Sequence, residues 1–346
     1  MAPSIPIDDP LTSSGSNSPA MVPSKASSHN NYADTRLVAS DLDGTLLFTI
    51  YPHTVVPPRA IAVFSRLTQL NIPIVLASGR PPRAMIPVVE QAGIPGISLC
   101  CNGAIVYDVA KRQVIKKYSM ATSAVLEMME RCRSAFGDKV CFGIESGVDF
   151  RCDAGYAQVR RDFLNHPHQV VQDPKQLIEE TVTVNGTTQQ IEHSVEKFIV
   201  LHKELDGETL YNLLLALFPA KVWSRLVKIT FSNPWFVEIS ATGVCKGTSL
   251  AAVCQELGIL SSQVIAFGDM PNDVEMLQFA GRSVGVANAH ADVLAIVDEV
   301  TGENTEDGVA QVLEKVVDAI EHKRTHGTTA VASTPIVTKV VGGIQE

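Results

Sequence analysis

No Cys-x-x-Cys pair occurs in the chain, and its seven cysteines are an odd number that cannot all pair. With no secretion signal in view, reduced thiols in an intracellular compartment are expected, most of them buried as small apolar side chains. Long apolar runs are missing too. The run Leu213–Leu217 stops at Phe218-Pro219, far short of the roughly 20 residues that cross a bilayer, so no membrane association is expected. Positive charge is not in surplus: 28 Lys and Arg stand against 37 Asp and Glu, a net charge of -9. That balance argues against a general nucleic-acid or anionic-membrane surface. The beginning, MAPSIPIDDPLTSSG, lacks a basic stretch followed by an apolar block, and Asp8-Asp9 disfavour a transit peptide. A cytoplasmic location is the expectation.

What is present is ordinary for a globular protein: 346 residues, 45% hydrophobic and 19% charged, enough for two domains. The stretch Arg36–Leu47 carries Asp41, Asp43 and Gly44 directly after the apolar run Leu37-Val38-Ala39. A short apolar run broken by glycine reads as a strand, which places both acids at its C-terminal end, where open parallel sheets bind ligands. Acids spaced i, i+2 on an extended segment point to one side, close enough to share a metal or a proton. A solvated turn is the competing reading. A calcium loop fits poorly, because its twelfth position would be Pro52.

Residues 1–34 are rich in Ser, Pro and Asn without hydrophobic period and read as a disordered tail. After the first strand, Pro57-Pro58 precede a helix with Ile61, Phe64, Leu67 and Leu70 on one face. Ile72–Ala77 reads as a buried parallel strand, broken by Ser78-Gly79-Arg80-Pro81-Pro82, which opens a second helix. Ile97–Cys101 is a third strand, stopped by Asn102-Gly103. Strands alternating with helices over short joints are the doubly wound, Rossmann-like α/β pattern. Residues 108–237 lose that rhythm, with helices at Ser123–Phe136 and Gly207–Leu217 among alternating segments, which suggests an inserted α+β domain. The first rhythm then returns with helix Thr248–Leu257, strand Val264–Phe267, a helix from Asn272, strand Arg282–Ala287 and helix Gly308–Ile320. The expected organisation is a core of 35–107 and 238–322, an insertion of 108–237 and a loose tail of 323–346.

The strand Val264–Phe267 also runs out into acids, Asp269 at its tip and Asp273 in the first helical turn beyond. If the two strands are neighbours, Asp41, Asp43 and Asp269 converge, and oxygen ligands without His or Cys suit Mg2+ rather than zinc. Helix capping accounts equally for Asn272 and Asp273. Ser78 and Gly79 stand where a helix N-terminus could hold an anion, or serve simply as a cap. Lys246, before Gly247, starts the helix after the insertion; beside the acids its ammonium would hold them together, although such lysines are mostly surface residues. Asn102-Gly103 reads as a turn, yet lies at a strand tip like the others.

Taken in order, these pieces resemble the haloacid dehalogenase (HAD) superfamily of phosphohydrolases. Asp41-Leu42-Asp43-Gly44-Thr45 is similar to its first motif, Ser78 to its second, Lys246 to its third, and Gly268-Asp269 through Asp273 to its fourth. The insertion between the second and third motifs resembles the type II, Cof-like branch (subfamily IIB), whose C2-type α+β cap domain covers the site. The resemblance implies that Asp41 is the nucleophile and forms an aspartyl-phosphate, while Asp43 protonates the leaving oxygen and then activates water. It implies that Asp41, the Asp43 carbonyl and Asp269 bind Mg2+, supported by Asp273. Thr45, Ser78, Gly79, Asn102, Gly103, Lys246 and Asn272 would form the phosphate and substrate site. The expected activity is a Mg2+-dependent phosphatase acting on a small phosphorylated metabolite, a sugar phosphate or similar monoester. A sugar phosphomutase and a non-catalytic phosphometabolite-sensing protein are the alternatives. The expected state is a monomer or weak homo-oligomer, with Cys245 silent in redox control. Cap candidates for substrate contact are Glu145, Arg151, Arg160, Arg161, His166, His168 and Lys203.

Overall fold

The computed structural model describes residues 31–50, 53–164, 166–184, 187–231 and 234–326. The expected tails fall mostly outside these residues. At their inner ends, however, Tyr32–Asp34 forms a 3-10 turn and the last helix continues to His326. Lys323 Nζ donates to Asp34 Oδ1 at 2.5 Å and ties the two ends together.

Eight strands form the larger sheet, in the order Glu299–Thr301, Arg282–Val286, Val264–Gly268, Leu37–Ser40, Ile74–Ala77, Ile97–Cys100, Ile105–Asp108, Gln113–Lys117. The first six are parallel. Leu37–Ser40 and Val264–Gly268 sit side by side, with Ser40 opposite Phe267. Both are buried along their whole length, because helices cover both faces of the sheet and leave only apolar or small side chains room. Their tips therefore emerge together, Ser40 one residue before Asp41 and Gly268 one residue before Asp269.

The last two strands pair antiparallel with their neighbours, and the sequence rhythm did not identify them as strands. Asn102 and Gly103, both at positive φ, turn the chain back on itself, so the core extends to Lys117 rather than ending at 107. A short hairpin, Phe48–Ile50 with His53–Val55, also precedes the first helix, Pro58–Gln69.

The inserted segment builds a six-stranded sheet in the order Gln169–Val171, Asp149–Asp153, Val140–Ser146, Lys197–His202, Val237–Ala241, Val227–Thr230. Val237–Ala241 pairs with Lys197–His202, so residues 238–241, expected in the core, belong to this second sheet. Alternation divides its two faces. Val140, Phe142, Ile144, Phe198, Val200 and Ile239 pack in one cluster with the helices Thr122–Phe136 and Gly207–Leu217. The opposite face carries Glu145, Lys197, Ile199 and Glu238, and it looks onto the tips of the parallel strands.

Candidate active site

Lys246 is the first residue of the helix Lys246–Leu257, only 1% exposed. Its ammonium donates to Asp41 Oδ1 at 2.5 Å and to Asp273 Oδ1 at 2.6 Å. A buried lysine persists only with such partners. Burial works to lower its pKa, but Asp273 and Asp41 outweigh that and hold the ammonium above its usual value. The other Asp273 oxygen accepts the backbone N–H groups of Asp269 and Met270, each at 3.1 Å. Asp273 is thus a fully buried anchor that fixes both the lysine and the loop carrying Asp269.

Asp269 completes the group. Its Oδ1 accepts the Thr45 hydroxyl at 2.6 Å, which places Thr45 beneath the site as a support for the acid. Gly44, at φ +86°, passes so close that a Cβ there would lie 2.4 Å from Asp269 Oδ2. Asp41, Asp269 and Asp273 each offer an oxygen within 4.8 Å of the others. Burial pushes the Asp41 carboxyl well above the usual carboxylate range; Lys246 pulls it back, and Asp273 and Asp269 push it further up. Burial likewise pushes Asp269 up to about 6, against the Thr45 hydroxyl that holds it down. Three buried acids around one lysine leave negative charge uncompensated, and a hard, all-oxygen donor set suits a Mg2+ ion.

Asp43 stands apart from this group. The strand ends at Ser40, so the extended geometry expected to align Asp41 with Asp43 does not persist. The Asp43 side chain is 44% exposed, and its two oxygens take the Nε and Nη2 of Arg80. Both acids still face one cavity of about 770 Å3 between the two sheets.

Ser78 follows the strand Ile74–Ala77, and its hydroxyl accepts the backbone N–H of Arg80 at 3.1 Å. Ser78 and Gly79 line the cavity, as does Asn272, whose amide donates to Asn102 Oδ1 at 3.1 Å. Gly103 does not line it. Its backbone packs against the Lys246–Leu257 helix, where a Cβ would meet the Cys245 carbonyl at 2.5 Å and the Ser249 hydroxyl at 2.8 Å. Cys245 is the buried N-cap of that helix.

Of the cap candidates, Glu145, Arg160 and His166 line the cavity. Arg151 does not: it pairs opposite Ile144 on the other face of the sheet and donates to the Gln176 carbonyl at 2.8 Å. Arg161, His168 and Lys203 are not among the lining residues either. Four charged residues went unassigned at the sequence level. Arg80 holds Asp43, and Arg83 donates to both Glu145 oxygens at 2.6 and 2.8 Å. Lys197 pairs with Glu238 and donates to the Gly79 carbonyl at 2.9 Å. Parity was a signal for Glu238, which alternates with Val237 and Ile239, but not for Lys197, whose strand is apolar on both faces at Phe198, Ile199, Val200 and Leu201.

The family model described as haloacid dehalogenase-like hydrolase matches residues 38–313. A pyridoxal phosphate phosphatase of Escherichia coli, YbhA, is 26% identical over 280 residues, 81% of this chain and 97% of that protein. A 5-amino-6-(5-phospho-D-ribitylamino)uracil phosphatase of Bacillus subtilis, YitU, is 26% identical over 281 residues, 81% and 96% of the two chains. Among solved structures, a HAD subclass IIB sugar phosphatase is 20% identical with a TM-score of 0.64, covering 81% of this chain and 98% of its own. A haloacid dehalogenase-like hydrolase from Bacteroides thetaiotaomicron is 23% identical, also with a TM-score of 0.64, covering 82% of this chain and 99% of its own.

Proposed function

The chain belongs to the haloacid dehalogenase-like hydrolases, as a phosphatase of the Cof-like branch, and on that premise we propose Mg2+-dependent hydrolysis of a small phosphate monoester through an aspartyl-phosphate on Asp41. The arrangement of Lys246 between Asp41 and Asp273, with Asp269 within 4.8 Å, carries this reading. One Asp41 oxygen is held by the ammonium, and the other attacks phosphorus as the ester P–O bond breaks. Asp43 is the group that would protonate the departing oxygen; Arg80 holds both of its oxygens in this structure, so the carboxyl must leave that pair and take up a proton first. Asp43 then takes a proton from water as the water attacks the aspartyl-phosphate, releasing inorganic phosphate and restoring Asp41. The Ser78 hydroxyl, at the tip of the strand Ile74–Ala77, supplies a donor for the phosphoryl oxygens, with Lys246 offsetting their charge. Pro81 and Pro82 carry no N–H, so the start of the helix Pro82–Ala92 adds little to the site. Asp41, Asp269 and the Asp43 carbonyl would hold Mg2+, backed by Asp273; the ion would supply positive charge to the transferring phosphoryl group.

Turnover of p-nitrophenyl phosphate tests the reading. Activity should require Mg2+, vanish in Asp41→Asn and survive removal of residues 1–30 and 327–346. Turnover that persists in Asp41→Asn sinks the aspartyl-phosphate. No turnover at all favours the phosphometabolite-sensing alternative. Release of inorganic phosphate without an isomerised product separates hydrolysis from phosphomutase activity.

A further inference from the structure

We infer that Lys197, a residue of the cap, is a positioning residue for the phosphate loop of the core. Its ammonium sets the Gly79–Arg80 peptide, and through it the Ser78 hydroxyl, so that the loop's donors are ready for a phosphoryl group only while the cap is seated. The inference rests on the phosphatase reading and adds to that site a group supplied by the other domain.

The core holds the loop on either side of Gly79. The Ser78 N–H donates to the Leu99 carbonyl, the Ser78 carbonyl accepts the Asn102 N–H, and the Arg80 carbonyl accepts the Cys101 N–H, each at 2.9 Å. Between these anchors the Gly79–Arg80 peptide is the part left to turn, and a glycine on one side of it makes turning cheap. In a trans peptide the carbonyl and the N–H point opposite ways, so fixing one end sets the other. Lys197 Nζ takes the Gly79 carbonyl at 2.9 Å from the cap side. The Arg80 N–H then donates to Ser78 Oγ at 3.1 Å. A hydroxyl that accepts in this way still has its own hydrogen to give. The Gly79 N–H, which has no partner among the described residues, is the second donor of the loop.

The placement of the ammonium is costly. Lys197 opens the strand Lys197–His202 and is 5% exposed, with Glu238, 3% exposed, as its ion-pair partner. Burial works to lower the Lys197 pKa, but Glu238 outweighs that and keeps the group charged. Adhesion between cap and core does not need such a group. Lys228 and Glu275 bridge the same two parts at 2.7 Å with about a third of each side chain exposed. What the buried lysine adds is its end point, the carbonyl next to Ser78. Lifting the cap removes that hold, lets the peptide turn and releases the Ser78 hydroxyl from its set orientation.

The test uses the full chain with Mg2+ and two substrates of different leaving group, acetyl phosphate and p-nitrophenyl phosphate. Lys197→Met combined with Glu238→Gln removes the ammonium without stranding a buried carboxylate. It should lower kcat/KM about tenfold to a hundredfold, by the same factor on both substrates. In a Ser78→Ala background the same pair of changes should cost no more than about threefold, because the donor it sets is already gone. Lys228→Met, which cuts the bridge away from the cavity, should stay within about twofold of wild type on both substrates. Where the double variant does not fold, Glu238→Gln alone decides, with the same pattern and a loss of about threefold to tenfold. An unchanged rate in a folded variant overturns the inference. So does an equal loss with and without Ser78, or a loss that follows the leaving group, which would make Lys197 a substrate contact. If wild type hydrolyses neither substrate, calorimetry with inorganic phosphate takes the place of rates. A Kd raised about tenfold in the Lys197 variant but not in Lys228→Met retains the positioning role while the phosphatase reading falls. Equal Kd values, or no binding to wild type, sink both.

Discussion

Lys246 shows how much one side chain can be asked to hold. It bridges Asp41 and Asp273 with essentially no exposure, so Lys246→Met strands two buried carboxylates. Denaturant unfolding should show a loss of about 3–5 kcal/mol, together with loss of phosphatase activity. Asp269 makes a pH prediction. Its folded pKa, about 6, lies above its ordinary value of 3.8, so the folded state binds the extra proton. The stability this contributes is complete below about pH 4 and is lost as pH rises through about 6. In EDTA, wild type should therefore lose stability relative to Asp269→Asn across that window, read as the difference between their melting temperatures. Saturating Mg2+ should return more stability to wild type at pH 7 than at pH 5. The acids and the lysine were legible because each stands where an apolar run gives way to glycine or a helix start. Arg80 and Arg83 were not, because a charged residue just before or just inside a helix looks like any solvated one until its partner, far away in sequence, is seen.

At the scale of elements, two close approaches fix the site. The helix Lys246–Leu257 can deliver its lysine because Gly247 lets it touch the Glu275 backbone, where a Cβ would lie 2.4 Å from the carbonyl oxygen. Gly247→Ala must push the helix away. A loss of about 1–3 kcal/mol in urea unfolding is expected, with kcat falling more than KM rises. Gly44→Ala should be at least as damaging to turnover, since it combines a positive φ with contact at Asp269 Oδ2. The parallel strands were readable because burial on both faces demands unbroken apolar runs, and Leu37–Ser40 and Val264–Gly268 have them. The antiparallel strands Ile105–Asp108 and Gln113–Lys117 were missed, as was the membership of Val237–Ala241. Sequence period says that a segment is extended but does not name its neighbour. Parity did carry information in the cap. It explains why Arg151, opposite Ile144, is excluded from the cavity while Glu145, one residue along from Ile144, reaches it.

For the whole molecule, the cap and core are joined at the cavity by Arg83 with Glu145 and Lys197 with the Gly79 carbonyl, and away from it by Lys228 with Glu275 at 2.7 Å. Glu145→Gln removes one charge of a largely buried pair and should cost about 3 kcal/mol of stability. It should also raise hydrogen exchange in the cap strands Val140–Ser146 and Asp149–Asp153 more than in Leu37–Ser40. The central strand of the core has its parallel partner on the far side of the insertion: Thr45 meets Asp269 224 residues later, and Asp41 meets Lys246 205 residues later. During synthesis on the ribosome, the first half of the sheet must therefore wait, with one flank bare, while the whole cap emerges. Chaperone demand should fall on that half-built intermediate, and the acid cluster cannot assemble until the last third of the chain is being translated.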